Sequence, residues 1–200
     1  MGMFSRKDMI RLFGPLLVEQ LLAVLVGMAD VVMVAAVGET AVSGVALVDS
    51  ISVLVIQVLS AMATGGAVVC SQYIGKKKPD QACRAAGQLV LITAALSLLI
   101  AAVAFIGNRH LLRLIFGSVE TAVMDNAQTY FWFTAMSYPF LALYNSGAAL
   151  FRSMGNSKVS MKVSLAMNAI NVAGNALCVF GLHMGVEGVA IPTLVSRMFA

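Results

Sequence analysis

Long apolar stretches separated by short polar ones run through the chain from end to end. Apolar runs at about 12–37, 45–74, 86–107, 126–150 and 161–182 each meet or approach the length a membrane helix requires, and a sixth begins near 188. A helix needs ~20 mainly apolar residues to cross a hydrocarbon layer ~30 Å thick. The pattern predicts an all-α integral membrane protein with five full spans and a partial sixth over 188–200. That last run reaches only Ala200 and is too short to span, so a fragment of a longer protein is expected.

Polar residues inside these runs fall on narrow faces. At ~100° per residue, Ser164, Asn168, Asn171, Asn175 and Cys178 of the fifth run share roughly 80° of arc. Glu19, Ala23, Gly27 and Asp30 do the same on the first run, and Ser50, Gln57, Ser60 and Thr64 on the second. Asp30, in the stretch "LVGMADVVMV", is the costliest of these. A carboxylate near the middle of a membrane helix costs ~2.5–3.5 kcal/mol on insertion scales, so such groups face a bundle interior or a water cavity. With a rise of ~1.5 Å per residue, Asp30 before Glu39, Asn175 before His183 and Thr193 after Glu187 all lie about 9–14 Å below the same surface. The three can share one layer.

Such seams have two readings. One is helix joining by interhelical hydrogen bonds, worth ~0.6–2 kcal/mol each, and it is the reading taken for the serines and Gln57. The other is a functional site, taken for Asp30 with Asn171 and Asn175, because an ionisable group costs more than packing requires. Gln57 and Asn168 are further candidates for cavity lining. Glu19 lies eight residues from Arg11, near a helix end, and reads as an interfacial ion-pair partner. Pro15 in "FGP" removes a backbone donor in the first turns of the first helix and permits a kink, and Pro139 in "SYPF" predicts a bend in the fourth. Ala61 and Gly65 read as close-packing positions between helices.

Composition agrees with the membrane reading. Apolar residues make up 60% and charged residues 11%, with mean hydropathy +0.92, against ~25% charged in an ordinary soluble domain. The basic residues alternate by loop. Arg6, Lys7, Arg11, Lys76, Lys77, Lys78, Arg84, Arg152, Lys158 and Lys162 fall on one side, and Arg109 and Arg113 on the other. Positive charge marks the cytoplasmic side, so the N-terminus is expected in the cytoplasm. The net charge of +4 then calls for no nucleic-acid partner. The triple lysine can meet anionic lipid headgroups, although a positive-inside loop is the simpler reading. The first run also exceeds the ~7–15 apolar residues of a cleaved signal peptide. Cys70, Cys83 and Cys178 lack paired metal or redox spacing and read as small apolar fillers. His110 and His183 are isolated near span ends. No G-x-S-x-G, Walker, H-E-x-x-H or C-x-x-C motif is present, so neither an enzyme nor a cofactor is expected.

Several stretches, taken in order, resemble a known family. Pro15 is followed by Asp30 in "GMADVVMV", then by "GETAVSGVAL", "QYIGKKKPDQACRA", "FRSMGNSKVSM" and an Asn-rich fifth helix ending in "FGLHMGVEGVAIPTLVSR". This order resembles the first half of multidrug and toxic compound extrusion transporters, the MATE family, over nearly the whole chain. The resemblance implies twelve helices in two six-helix lobes around a central cavity of alternating access, with this chain as most of the N-terminal lobe. It also implies a cation- or proton-coupling site at Asp30, Asn171, Asn175 and Thr193, and a helix-bending role for Pro15. Some relatives carry Asp where Asn175 stands, which bears on the choice between Na+ and H+.

The expected function is cation-coupled antiport, with Na+ or H+ as coupling ion, exporting amphipathic or cationic small molecules across the plasma membrane, the inner membrane of a bacterium. The expected partners are a drug-like substrate, membrane lipids and a second, C-terminal lobe. Two alternatives stand beside it. A lipid-linked oligosaccharide flippase of the same superfamily would line its cavity with more Arg and Lys than these seams hold. A non-transporting membrane fragment is the other.

Overall fold

The computed structural model describes the backbone of residues 6–200 and the side chains of residues 13–200. Six helices follow one another: α1 (Arg6–Val37), α2 (Glu39–Gly75), α3 (Pro79–Phe116), α4 (Thr121–Ser153), α5 (Ser157–Ala176) and α6 (Glu187–Phe199). A single π turn, Leu177–Gly181, continues α5. The helices run past the apolar stretches into polar sequence. α2 starts at Glu39 rather than near 45, and α3 extends from Pro79 to Phe116 rather than over 86–107. Hydropathy marks the lipid-facing length of a helix, whereas backbone hydrogen bonding continues until a cap or breaker stops it. Pro79 supplies such a boundary at the first turn of α3, where its missing donor costs nothing.

Four segments are long and apolar enough to cross a membrane: Phe13–Val37, Glu39–Gly75, Pro79–Phe116 and Ser157–Gly181. α4 has 33 residues, about 50 Å at 1.5 Å per residue, but is more polar than these four. Its position accounts for that, since α4 packs against α2 and α3 on one side and α6 on the other. Tyr130, Phe131, Thr134, Ser137, Tyr138 and Ser146 are all buried along it. A helix sheathed by protein can carry hydroxyls that a lipid-facing helix cannot. The outer faces of α1 and α3 show the opposite pattern, with Leu17, Leu21, Leu25, Leu91, Leu99 and Ile106 exposed.

Three contacts close the bundle around an interior. α1 lies along α5, α5 along α6, and α6 along α4. Gly38, with φ 142°, is the only residue between α1 and α2. That conformation is open to glycine and strained for other residues, and it lets α2 return directly beside α1. Gly44 permits the α2 to α4 approach, because a Cβ there would stand 2.9 Å from the Ala127 nitrogen and 3.0 Å from the Val123 carbonyl. Gly65 and Ala61 do not play that part. Both are exposed, and a Cβ on Gly65 would meet nothing within 4 Å. Small-residue spacing identifies faces able to pack closely, but a neighbour must be there to pack.

Candidate functional site

Residues of α1, α2, α4, α5 and α6 line a cavity of about 380 Å3. Asp30 from α1, Asp49 from α2, Tyr130 from α4, Asn168 and Asn171 from α5, and Thr193 and Arg197 from α6 line it. The stripe of α5 points inward, with Ser164 at 4%, Asn171 at 6% and Asn175 at 0% exposure. Gly174 makes this possible, because a Cβ there would lie 2.7 Å from Pro192 Cβ. Its absence lets the polar face of α5 sit directly on α6.

The hydrogen bonds form a directed chain. Asn175 Nδ2 donates to Asp30 Oδ1 at 2.8 Å and to Asn171 Oδ1 at 3.4 Å. Asn171 Nδ2 donates to Thr193 Oγ1 at 3.0 Å, and Thr193 Oγ1 donates to the Val189 carbonyl at 2.8 Å. An amide nitrogen carries two donors, so Asn175 spends both on its neighbours. Its Oδ1 is buried without a hydrogen-bond partner. Immediately after this residue the helix takes its π turn, where Leu182 N bonds to Leu177 O at 3.0 Å. Such turns recur at functional sites because they redirect side chains and free backbone groups.

The geometry thus brings Asp30, Asn171, Asn175 and Thr193 into one layer. Asn168 lines the cavity and donates to Ser164 Oγ at 3.5 Å. Gln57 does not line it. The face of α2 toward the cavity carries Val42, Val45, Ala46 and Asp49, whereas Gln57 is exposed two turns further along. Pro15 lies nine residues inside α1, in its third turn rather than its first. Its missing donor therefore interrupts the hydrogen-bond ladder of the helix.

Two other expectations change, and the ion pair expected of Glu19 finds its partner. The α2 seam does not join helices: Ser50 donates to Ala46 O of its own helix at 2.9 Å. Interhelical bonding from α2 comes instead from Ser52, 3.2 Å from Tyr138 Oη, and from Thr40, which accepts from Asn126 Nδ2 at 3.3 Å. Glu19 pairs with Arg152 at 3.8 Å. It also accepts from Tyr144 Oη at 3.0 Å and Ser160 Oγ at 3.3 Å, binding α1 to α4 and α5. The side chains of Arg6, Lys7 and Arg11 lie outside the described residues. Cys83 is exposed rather than a buried filler. Among the described residues no cluster of three or more His, Cys, Asp or Glu is placed to hold a metal.

Asp49 and Arg197 are the site residues that sequence reasoning passed over. Asp49 carried the same signal as Asp30, a lone carboxylate inside an apolar run, but Ser50 beside it drew the seam elsewhere. Arg197 falls within the short sixth apolar run rather than in a loop, so a loop-by-loop reading of basic charge passes it by.

A family model described as MatE matches residues 15–177. The chain belongs to the MatE family. Among the curated relatives of this MatE chain is the "Uncharacterized transporter YisQ" of Bacillus subtilis, 30% identical over 195 residues. The match takes in 96% of this chain and 42% of the relative. "Probable multidrug resistance protein NorM" of Thermotoga maritima is 27% identical, with coverage of 96% and 42%. A solved structure described as an outward-facing multidrug resistance MATE family transporter of the MOP superfamily shares the MatE chain's fold with a TM-score of 0.89 at 19% identity, covering 96% and 42%. Another, MATE in the bent conformation, gives 0.88 at 21% identity, covering 97% and 43%. The MatE chain therefore spans less than half the length of the relatives it matches, and those relatives are transporters rather than enzymes.

Proposed function

We propose that the chain is the N-terminal lobe of a cation-coupled antiporter, using Na+ or H+ to export amphipathic or cationic small molecules across the plasma membrane, the inner membrane if the source is bacterial. A second, C-terminal lobe completes the central cavity. The N-terminus and the loop carrying Lys76 to Lys78 face the cytoplasm, as the basic asymmetry expects. The observation that carries the reading is the contact of Asp30 with the buried Asn175 at 2.8 Å, at the wall of a cavity that Asp30 lines with residues of five helices.

The chemistry follows from that contact. A low-dielectric cavity disfavours a bare carboxylate, whereas a bound cation or a hydrogen-bond donor favours it. Asp30 can be answered by the Asn175 amide, by a coupling cation or by a cationic substrate, and these compete. The Asp30 carboxylate and the unpartnered Asn175 Oδ1 are oxygen donors suited to a hard cation such as Na+, and the carboxylate alone suffices for H+. Competition at one acid makes export an exchange. Pro15 gives α1 a point at which to bend as Asp30 changes its partner.

Replacing Asp30 with Asn in the two-lobe transporter tests this. Efflux of ethidium or norfloxacin from vesicles should be lost under both imposed proton and sodium gradients, while membrane insertion, read by immunoblot, is kept or improved because a neutral residue is cheaper to bury. Wild-type efflux by Asp30→Asn under either gradient would make Asp30 a structural residue. The flippase alternative gains no comparable support, because among the described residues this lobe's cavity holds one basic side chain, Arg197, against two carboxylates.

A further inference from the structure

Asp49 and Arg197 line the same cavity as Asp30 but take no part in its hydrogen-bond chain. A guanidinium inside a membrane-spanning lobe is costly and marks function by default, and what it touches here does not repay that cost. Arg197 Nη1 donates to Ser137 Oγ at 2.6 Å, and that hydroxyl in turn donates to the Thr134 carbonyl at 2.6 Å. One neutral acceptor serves one of five N–H donors and supplies no opposite charge. Among the described residues no carboxylate comes within 4.0 Å of Arg197. The carboxylates that share its cavity are Asp30 and Asp49. Asp30 is engaged by Asn175, whereas Asp49 from α2 makes no ion pair among the described residues and shares the cavity wall with Tyr130 of α4 and Arg197 of α6. Glu19 is occupied elsewhere, by Arg152, Tyr144 and Ser160.

The formal charges then sum simply. Two carboxylates and one guanidinium leave the cavity one negative charge from neutrality. We propose that Arg197 is the resident counter-charge of Asp49 and that this pair sets the charge specificity of the cavity, which takes one positive charge at a time, as a monocationic amphiphile or as one coupling cation. The inference rests on the exporter reading above and adds to it the charge class of the substrate. Asp49 and Arg197 line one cavity of about 380 Å3 without closing into an ion pair within 4.0 Å, so both charges stay open to a bound substrate. A dication bound there would bring a positive charge that no described residue of this lobe's cavity answers, and discrimination of that kind comes from the unanswered charge rather than from a better fit.

The experiment compares tetraphenylphosphonium, a monocation, with methyl viologen, a dication. Both equilibrium binding and efflux are measured, using the two-lobe transporter and its variants. Wild type should prefer the monocation. Arg197→Gln raises the cavity to two net negative charges and should shift the binding ratio toward the dication by about tenfold or more. Asp49→Asn cancels the net charge and should weaken monocation binding by about tenfold. The double variant Asp49→Asn/Arg197→Gln restores a single negative charge and should return the ratio to that of wild type, as should Arg197→Lys. An unchanged ratio in Arg197→Gln, or a double variant worse than either single one, overturns the proposal. If Arg197→Gln fails to fold, Asp49→Asn and the double variant still decide. A wild type that binds the monocation but moves neither cation would sink the exporter reading and leave the charge rule to be judged by binding.

Discussion

Asn175 shows how much one side chain decides at the residue scale. Its two amide hydrogens are given to Asp30 and Asn171 and its oxygen is left free, so it orients the acid while remaining neutral itself. Asn175→Asp would place a second carboxylate within hydrogen-bonding distance of the first, and two acids that close share one proton. The expected outcome is efflux driven mainly by the proton gradient, with loss of any sodium dependence. Vesicle efflux under each gradient separately measures it, and undiminished sodium-driven efflux would contradict it. Asn175 was legible beforehand because a polar stripe repeats at helical spacing. The direction of its hydrogen bonds was not, since that depends on what stands opposite.

At the element scale the site depends on how closely α5 approaches α6. Gly174 and Pro192 meet where no Cβ can be accommodated, and the proline ring cannot swing aside as a flexible side chain would. Gly174→Ala should therefore cost about 1–3 kcal/mol through overpacking, read as a lower aggregation temperature in detergent. It should also separate Asn171 from Thr193 and weaken cation binding. Gly65→Ala is the matched control, since its Cβ would meet nothing within 4 Å, and it should leave both measurements unchanged. Equal behaviour of the two variants would show that the α5 to α6 approach is not limiting. The same scale explains why the apolar runs underestimated the helices. Lipid contact ends at the headgroups, but α2, α3 and α4 continue through polar residues that still satisfy the backbone.

At the scale of the whole chain, residues of five helices wall one partly polar cavity, while the outward faces of α1 and α3 stay apolar. α3 stands outside the ring, against α2 and α4. The orientation proposed for this lobe is testable by accessibility. A cysteine at Lys77, in a variant lacking Cys70, Cys83 and Cys178, should resist an impermeant maleimide applied to intact cells and react after permeabilisation. Labelling from outside would invert the topology. α4 shows the limit of hydropathy at this scale, because its polarity reflects its place in the centre of the bundle, which no window along the chain can register.

The sequence by itself determined the class of the molecule, the helical runs, the polar face of α5 and the shared depth of Asp30, Asn175 and Thr193. All of these follow from composition or from the fixed pitch and rise of a helix, which are local properties. Only the tertiary structure decided which faces meet. Asn175 finds Asp30 145 residues away, Glu19 finds Arg152 rather than a neighbour in its own helix, and Asp49 and Arg197 from α2 and α6 enter one cavity. Helical periodicity specifies the direction a side chain takes from its own axis but carries no information about which axis lies opposite. That is settled by packing, at positions such as Gly44 and Gly174, where one missing methyl group lets two helices touch.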